Sequence, residues 1–442
     1  MEEKIINNRP VKIWTDFVED SAMKQIENLT TLPFLFHHLA IMPDVHTGMG
    51  MPIGGVLACR DAVIPNAVGV DIGCGMCAVK TSWKVSEIPV EVLRKKIMKN
   101  IRERIPLGKA HHKEPQAEKY LPEGHDIDKL EIVKRRQHSI YYEIGTLGGG
   151  NHFIELQKDE NDNLWIMIHS GSRNLGKQVG DYYNRIAAGL NEKWHSVVSP
   201  DIHMPFLAGG TREFGMYWNE MRYCIDFALC NRKLIMERVE EALAEVLEGI
   251  EFEPMINIAH NYAAFEEHYG ELVIVHRKGA TLAREGMTGI IPGSQGTASY
   301  IVEGLGNQES FCSCSHGAGR VLSRTMAIMT LKMEEEVAYL ESKGIVHAIR
   351  CQKDMQEASG AYKDIEEVIA NESDLVRVKS RLLPVAVIKG RFIAVRCHCG
   401  RIRLGCAPDS TYCIFKPTVS STGNQCQSQR KGRRKVALFI LL

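Results

Sequence analysis

The sequence predicts a large globular protein of mixed short strands and helices, in which strands hand polar side chains into glycine-rich turns. Three observations carry this. Short apolar, β-leaning runs recur between Gly and Pro punctuation. Helical spacing of apolar residues appears in separate stretches, the longest from Phe214 to Leu247. Asp, Cys and His concentrate where apolar runs meet glycine, as in Asp71-Ile72-Gly73-Cys74-Gly75-Met76.

Bulk properties narrow the class. A chain of 442 residues with 44% hydrophobic and 24% charged residues can bury a large core, which excludes a disordered or fibrous protein. No apolar run reaches the roughly 18–20 residues that span a bilayer. Met1-Glu2-Glu3-Lys4 lacks a signal-peptide pattern. The expectation is a cytoplasmic protein with no membrane partner, whose thirteen cysteines are reduced. The zero net charge hides an asymmetry. Residues 391–442 hold ten Lys/Arg against one acid, Asp409, about +9, and five of the cysteines. This break predicts two parts, a catalytic domain over 1–390 and a basic, Cys-containing, poorly ordered extension over 391–442. Cys397, His398, Cys399, Cys406 and Cys413 fit no standard zinc-ribbon spacing.

In chain order, Asp20 or Ser21 caps a helix over Ala22–Leu29. Residues 42–55 read as loop, with Asp44 and His46 among Pro and Gly. Val56–Cys59 and Val63–Val70 read as strands leading into the Asp71–Met76 turn; Cys77, pointing away by alternation, belongs to the core. Glu91–Ile105 is a helix with Leu93, Ile97 and Ile101 in its apolar stripe. The polar stretch 106–140, with scattered histidines, is expected to be mobile and solvated. Gly145–Leu156 presents Asn151, His152 and Glu155 at the start of a strand, and Leu164–Ile168 ends at His169. Those two histidines therefore fall at corresponding ends of neighbouring strands. Helices are predicted over Asn184–Trp194 and Phe214–Leu247, the latter purely as core. Ile256–Tyr262 runs into His260, and Leu272–Val275 leads to His276-Arg277-Lys278-Gly279. Ile290–Tyr300 is rich in small donors, including Ser294 and Ser299, as phosphate contact requires. His316 precedes a helix predicted over Val321–Met333, whose positive end attracts anions. Leu382–Ile388 is a strand ending at Lys389-Gly390.

A lone strand-end histidine is ordinarily structural. Asp71, Cys74, His152, His169 and His260 together are a carboxylate, a thiolate and three imidazoles, a set suited to borderline ions such as Mn²⁺, Zn²⁺ or Co²⁺. The chain reads as a scaffold that gathers these five beside His316.

The motifs Asp71-Ile72-Gly73-Cys74-Gly75, Gly150-Asn151-His152-Phe153-Ile154-Glu155, His169-Ser170-Gly171-Ser172-Arg173, His260-Asn261-Tyr262 and His316-Gly317-Ala318-Gly319-Arg320 occur in one order. In them residues 1–390 resemble the RtcB family of GTP-dependent RNA ligases. The resemblance implies an α+β fold, with mixed β-sheets flanked by helices around a dinuclear metal cleft. It implies two Mn²⁺ held by Asp71, Cys74, His152, His169 and His260, with Cys74 bridging, and a guanylylated His316. GTP contacts map onto Asn151, Phe153, Glu155, Ser294, Ser299, His316, Gly317, Ala318, Gly319, Tyr362 and Lys389. RNA phosphate contacts map onto Arg173, Lys278 and Arg320, and Asp44 stands at the edge of the site. The implied reaction joins an RNA 3′-phosphate or 2′,3′-cyclic phosphate to a 5′-hydroxyl, with an archease-type activator as a possible partner. It leaves open whether tRNA halves or damaged RNA are sealed. Family members end at the equivalent of Lys389-Gly390, so the extension is a departure. The ligand set alone does not tell transfer to RNA from transfer to water, so a metal-dependent phosphodiesterase is the alternative; the complete set argues against a third reading, a noncatalytic RNA-binding relative. Arg173, Lys177, Arg277, Lys278, Arg284 and Arg320 lie near the motif loops and are expected to line one positive cleft.

Overall fold

The computed structural model describes residues 1–390; the expected extension lies outside the described residues. The described part is α+β. A six-stranded sheet runs in the order Glu2–Ile6, Arg9–Ile13, Leu35–His46, Ile53–Cys59, Glu271–Lys278, Asn261–His268, with one parallel pair, Arg9–Ile13 beside Leu35–His46. A seven-stranded antiparallel sheet runs Ile256–Ala259, Gly75–Lys84, Asn163–Ser170, Phe153–Lys158, Val376–Lys389, Ser299–Gly304, Thr288–Ile291.

Helices cover what the sheets leave apolar. The long helix Arg212–Ala244 starts where the Thr211 hydroxyl accepts the Phe214 amide at 3.3 Å. Its Ile235 and Val239 pack on Cys77, Ile166 and Ile168 of the seven-stranded sheet. Its Tyr217, Met221 and Phe227 pack with Leu175, Val179 and Tyr183 of the helix Leu175–Lys193. Cys77 is core, as alternation predicts. None of the helices among the described residues is long and apolar enough to cross a membrane.

Several local readings change in the structure. Residues 42–55 are not one loop, because the strand Leu35–His46 runs through Asp44 and a second strand begins at Ile53. Pro43 is accommodated because pairing between these strands is irregular between Ile41 and His46. Pro65 opens a short helix, Pro65–Val68, where a strand is predicted. The polar stretch is ordered, and the helix Glu131–Glu143 buries Ile132, Val133 and Ile140. Its first amides at Ile132 and Val133 are capped from afar by the buried Glu220 carboxylate, at 3.0–3.2 Å. The helix predicted from Val321 begins only at Arg324, capped by Ser323, so His316 is not at a helix N-terminus.

Candidate metal and nucleotide site

Strand register brings the candidate ligands to one end of the seven-stranded sheet. Gly75 pairs with Ser170 on one side and Ala259 on the other, and Phe153 pairs with His169. Cys74, His152, His169 and His260 therefore all stand at that end. His260 is also the residue at which the chain leaves the seven-stranded sheet and enters the six-stranded one.

The donor atoms converge. Cys74 Sγ lies 3.3 Å from His152 Nε2 and 3.2 Å from His169 Nε2. His169 Nε2 lies 3.4 Å from His260 Nε2, and His152 Nε2 lies 3.2 Å from Asp71 Oδ2. Donors around a tetrahedral ion with bonds of ~2.1 Å stand about 3.4 Å apart, so this spacing fits a bound cation. The donors form a string with Cys74 in its middle, Asp71 and His152 on one flank and His169 and His260 on the other. Burial holds the His169 and His260 imidazoles well below their ordinary range, so they are neutral, as ligands must be. Burial, joined by the Asp71 charge, pushes the Cys74 thiol up against the opposing pull of the Arg232 cation.

Gly171 is required beside this cluster, since a Cβ there would lie 2.7 Å from Asp71 Oδ1. Gly319, at φ 72°, lets the His316 loop pass the backbone of Asp44, whose carbonyl oxygen would be 2.2 Å from an added Cβ.

His316 leaves the short strand Ser313–Ser315 and sets its ring 4.9 Å from that of His260. Its backbone N–H donates to Asp44 Oδ2 at 3.1 Å and its Nδ1 to the same oxygen at 2.5 Å. In the tautomer that carries its proton on Nδ1, Nε2 is the nitrogen with a lone pair to offer. Behind it, the buried Glu372 accepts the Ser315 amide at 2.9 Å, and burial raises its carboxyl to about 8.

A cleft of about 510 Å³ opens beside His316. Asn151, Phe153, Glu155, Ser294, Gly317, Ala318, Gly319, Tyr362 and Lys389 all line it. Lys389 Nζ sits 5.6 Å from the Phe153 ring centre, within cation–π range. Burial raises Glu155 to about 7, against the opposing pull of Lys389 and a 2.7 Å hydrogen bond from Gln157. Ser299 differs from its expected role. It is buried behind the wall, where its Oγ accepts from Gln157 at 3.1 Å and the Gly293 amide at 3.2 Å.

The predicted cations do not form one surface. Arg277 is fully buried in an ion pair with Glu266, and Arg284 approaches the same carboxylate at 3.8 Å. Lys177 pairs with Asp181. Arg320 lines the same cleft, but its guanidinium is spent on Leu322 O, Gln356 O, Glu357 and Tyr362. Lys278 lies against Gly69, just before the Asp71–Met76 turn, its Nζ donating to the Met49 and Asn66 carbonyls at 2.6 and 3.1 Å. Arg173, at φ 53°, is half-buried and donates to Thr146 Oγ1 and Gly108 O, both at 2.7 Å.

Sequence reasoning passed over Arg324 and Glu357. Arg324 lines the cleft and donates through Nε to the buried Glu357 at 3.0 Å. An Arg before a distant Glu carries no periodic signal, so neither stood out.

The family model described as tRNA-splicing ligase RtcB matches residues 25–130 and 122–390. The RNA-splicing ligase RtcB of Escherichia coli (strain K12) is 40% identical over 409 residues, 87% of this chain and 98% of that protein. The tRNA-splicing ligases RtcB of Nanoarchaeum equitans and Thermococcus kodakarensis are 32% and 31% identical, over 87% and 84% of this chain and 96% and 92% of their own lengths. The chain belongs to the RtcB family of RNA ligases. The RtcB match ends at 390, where the described residues also end.

Proposed function

We propose that the protein seals RNA 3′-phosphate or 2′,3′-cyclic phosphate ends to 5′-hydroxyl ends, using GTP and Mn²⁺, through a His316–GMP intermediate. The observation that carries this reading is the Asp44–His316 pair, which holds the imidazole beside His260 of the donor string and at the wall of a cleft of about 510 Å³.

A phosphate monoester resists attack because its charge repels nucleophiles and it lacks a good leaving group. Activation by nucleotidyl transfer removes both obstacles. His316 Nε2 attacks the α-phosphate of GTP and pyrophosphate leaves; Asp44 holds the Nδ1 proton and stabilises the cationic ring that forms. The RNA 3′-phosphate then takes GMP from His316, and the 5′-hydroxyl attacks that phosphate and expels GMP. Asp71, Cys74, His152, His169 and His260 would hold Mn²⁺, which would supply charge neutralisation at the phosphate oxygens. Glu155, with Lys389 beside it, suits the N–H edge of guanine, and Gly317–Gly319 let the backbone approach the phosphates. Arg173 and Lys278, flanking the metal turn, suit RNA phosphates.

The test is direct. Protein incubated with Mn²⁺, α-labelled GTP and RNA bearing 3′-phosphate and 5′-hydroxyl ends yields a labelled protein adduct and sealed RNA, and His316→Ala yields neither. Hydrolysed RNA with no adduct would favour a phosphodiesterase instead.

A further inference from the structure

The long helix Arg212–Ala244 carries two adjacent polar residues, Asn231 and Arg232, on its mostly apolar buried stripe; like Glu220 earlier in the helix, both have no exposed surface. Burying an amide and a guanidinium is costly unless both are fully engaged. Neither engages a carboxylate among the described residues. Their partners are instead the segments that bear the metal donors.

Asn231 Oδ1 accepts the amides of Gly145 and Thr146, at 2.8 and 3.2 Å, at the root of the glycine loop that ends in His152. Its Nδ2 donates to Gly171 O at 3.0 Å and Ser170 Oγ at 3.2 Å, immediately after His169. Arg232 Nη1 donates to Gly73 O and to Ser170 O, both at 2.9 Å. That ties the residue before Cys74 to the residue after His169. Arg232 Nε donates to Asn257 Oδ1 at 2.7 Å, on the strand that runs into His260. Each of the four donor-bearing segments is thus held, at or near its ligand, by one of two adjacent residues on a single helix.

We propose that Asn231 and Arg232 are positioning residues for the metal cleft, a clamp that sets the mutual spacing of the Asp71–Cys74, His152, His169 and His260 segments. The proposal rests on reading the cleft as a metal site. Helix rigidity is what makes the arrangement effective. Neighbouring side chains on one helix cannot drift relative to each other, so strand ends from distant parts of the chain share one reference. Adding an arginine with no acid partner leaves a fixed positive charge behind the turn, which favours the anionic donors Asp71 and Cys74 in front of it.

The experiment measures Mn²⁺ alone binding to the full chain by electron paramagnetic resonance, with circular dichroism to verify folding. Asn231→Asp keeps shape and acceptor but loses the donors to Ser170 and Gly171; Arg232→Lys keeps the charge but cannot span Gly73, Ser170 and Asn257. Both are expected to weaken Mn²⁺ binding about 10–100-fold. Ile235→Ala, a core truncation on the same helix that removes no hydrogen bond to these segments, is expected to lower the melting temperature while leaving Mn²⁺ affinity unchanged. If Asn231→Asp does not fold, Asn231→Ser removes the same donors at smaller cost. Wild-type affinity in the clamp variants, or an equal loss in Ile235→Ala, would overturn the clamp. A wild-type chain without Mn²⁺ affinity would instead overturn the metal reading itself, and the clamp with it.

Discussion

Asp44 accepts both the backbone N–H and the Nδ1 of His316, across 272 residues of sequence, and is itself without exposed surface. One carboxylate thereby sets both the loop and the tautomer of the candidate nucleophile. Asp44→Asn keeps the shape but removes the charge that stabilises a cationic ring. Protein labelling by α-labelled GTP is expected to fall by about 10²–10⁴-fold, with the fold retained.

Cys74 stands in the middle of the donor string, so its loss affects both flanks. Cys74→Ala is expected to abolish guanylylation. Titration with Mn²⁺ should show weaker or missing binding; a variant that still labels with GTP would remove Cys74 from the metal site.

A methyl group at position 171 would sit 2.7 Å from Asp71 Oδ1. The carboxylate must move, and it is the donor that His152 faces. Gly171→Ala is expected to weaken Mn²⁺ binding about 10–100-fold, read by the same titration, while circular dichroism stays native.

Glu155 carries a pH prediction. Burial raises its carboxyl to about 7, and guanine offers N–H donors, which bind the ionised form better. The KM for GTP is therefore expected to fall as pH rises through about 7, and Glu155→Gln to lose that dependence. Because the folded state binds this proton more tightly than the unfolded chain, Glu155 costs stability as pH rises from 4.5 to about 7.

Lys278 has the opposite sign. Burial lowers it from 10.5 to about 7, so the unfolded chain holds a proton that the folded one has lost. Stability is expected to climb with pH across that window at a slope of about 1.4 kcal/mol per pH unit from this group. Denaturant unfolding of wild type against Lys278→Met at several pH values measures the difference, whose pH dependence should disappear above 10.5.

Much of the site was legible in the sequence because its parts are local. Asp71 and Cys74 share a turn, His152 and His169 close adjacent strands, and His316 follows a strand into glycines. The cations were not legible in the same way. Arg277 and Lys278 are adjacent in sequence, yet alternation sends one into Glu266 and the other to the Met49 and Asn66 carbonyls. Ser299 has the composition of a phosphate contact, but register puts it behind the wall. Residues 42–55 looked like loop because Pro and Gly dominate, whereas irregular pairing lets Asp44 stay in a strand.

The sequence by itself determined which chemistry is available: the thiol, carboxylate and imidazole donors, the glycines beside them, and the motif order of an RNA ligase family. Tertiary structure alone decided which polar groups work together: Asp44 with His316, Glu357 with Arg324, and Asn231 and Arg232 with all four donor segments. The physical reason is that residue type and short-range spacing are written locally. The partner of a buried polar group is chosen by packing between elements tens to hundreds of residues apart, and no local pattern encodes that choice.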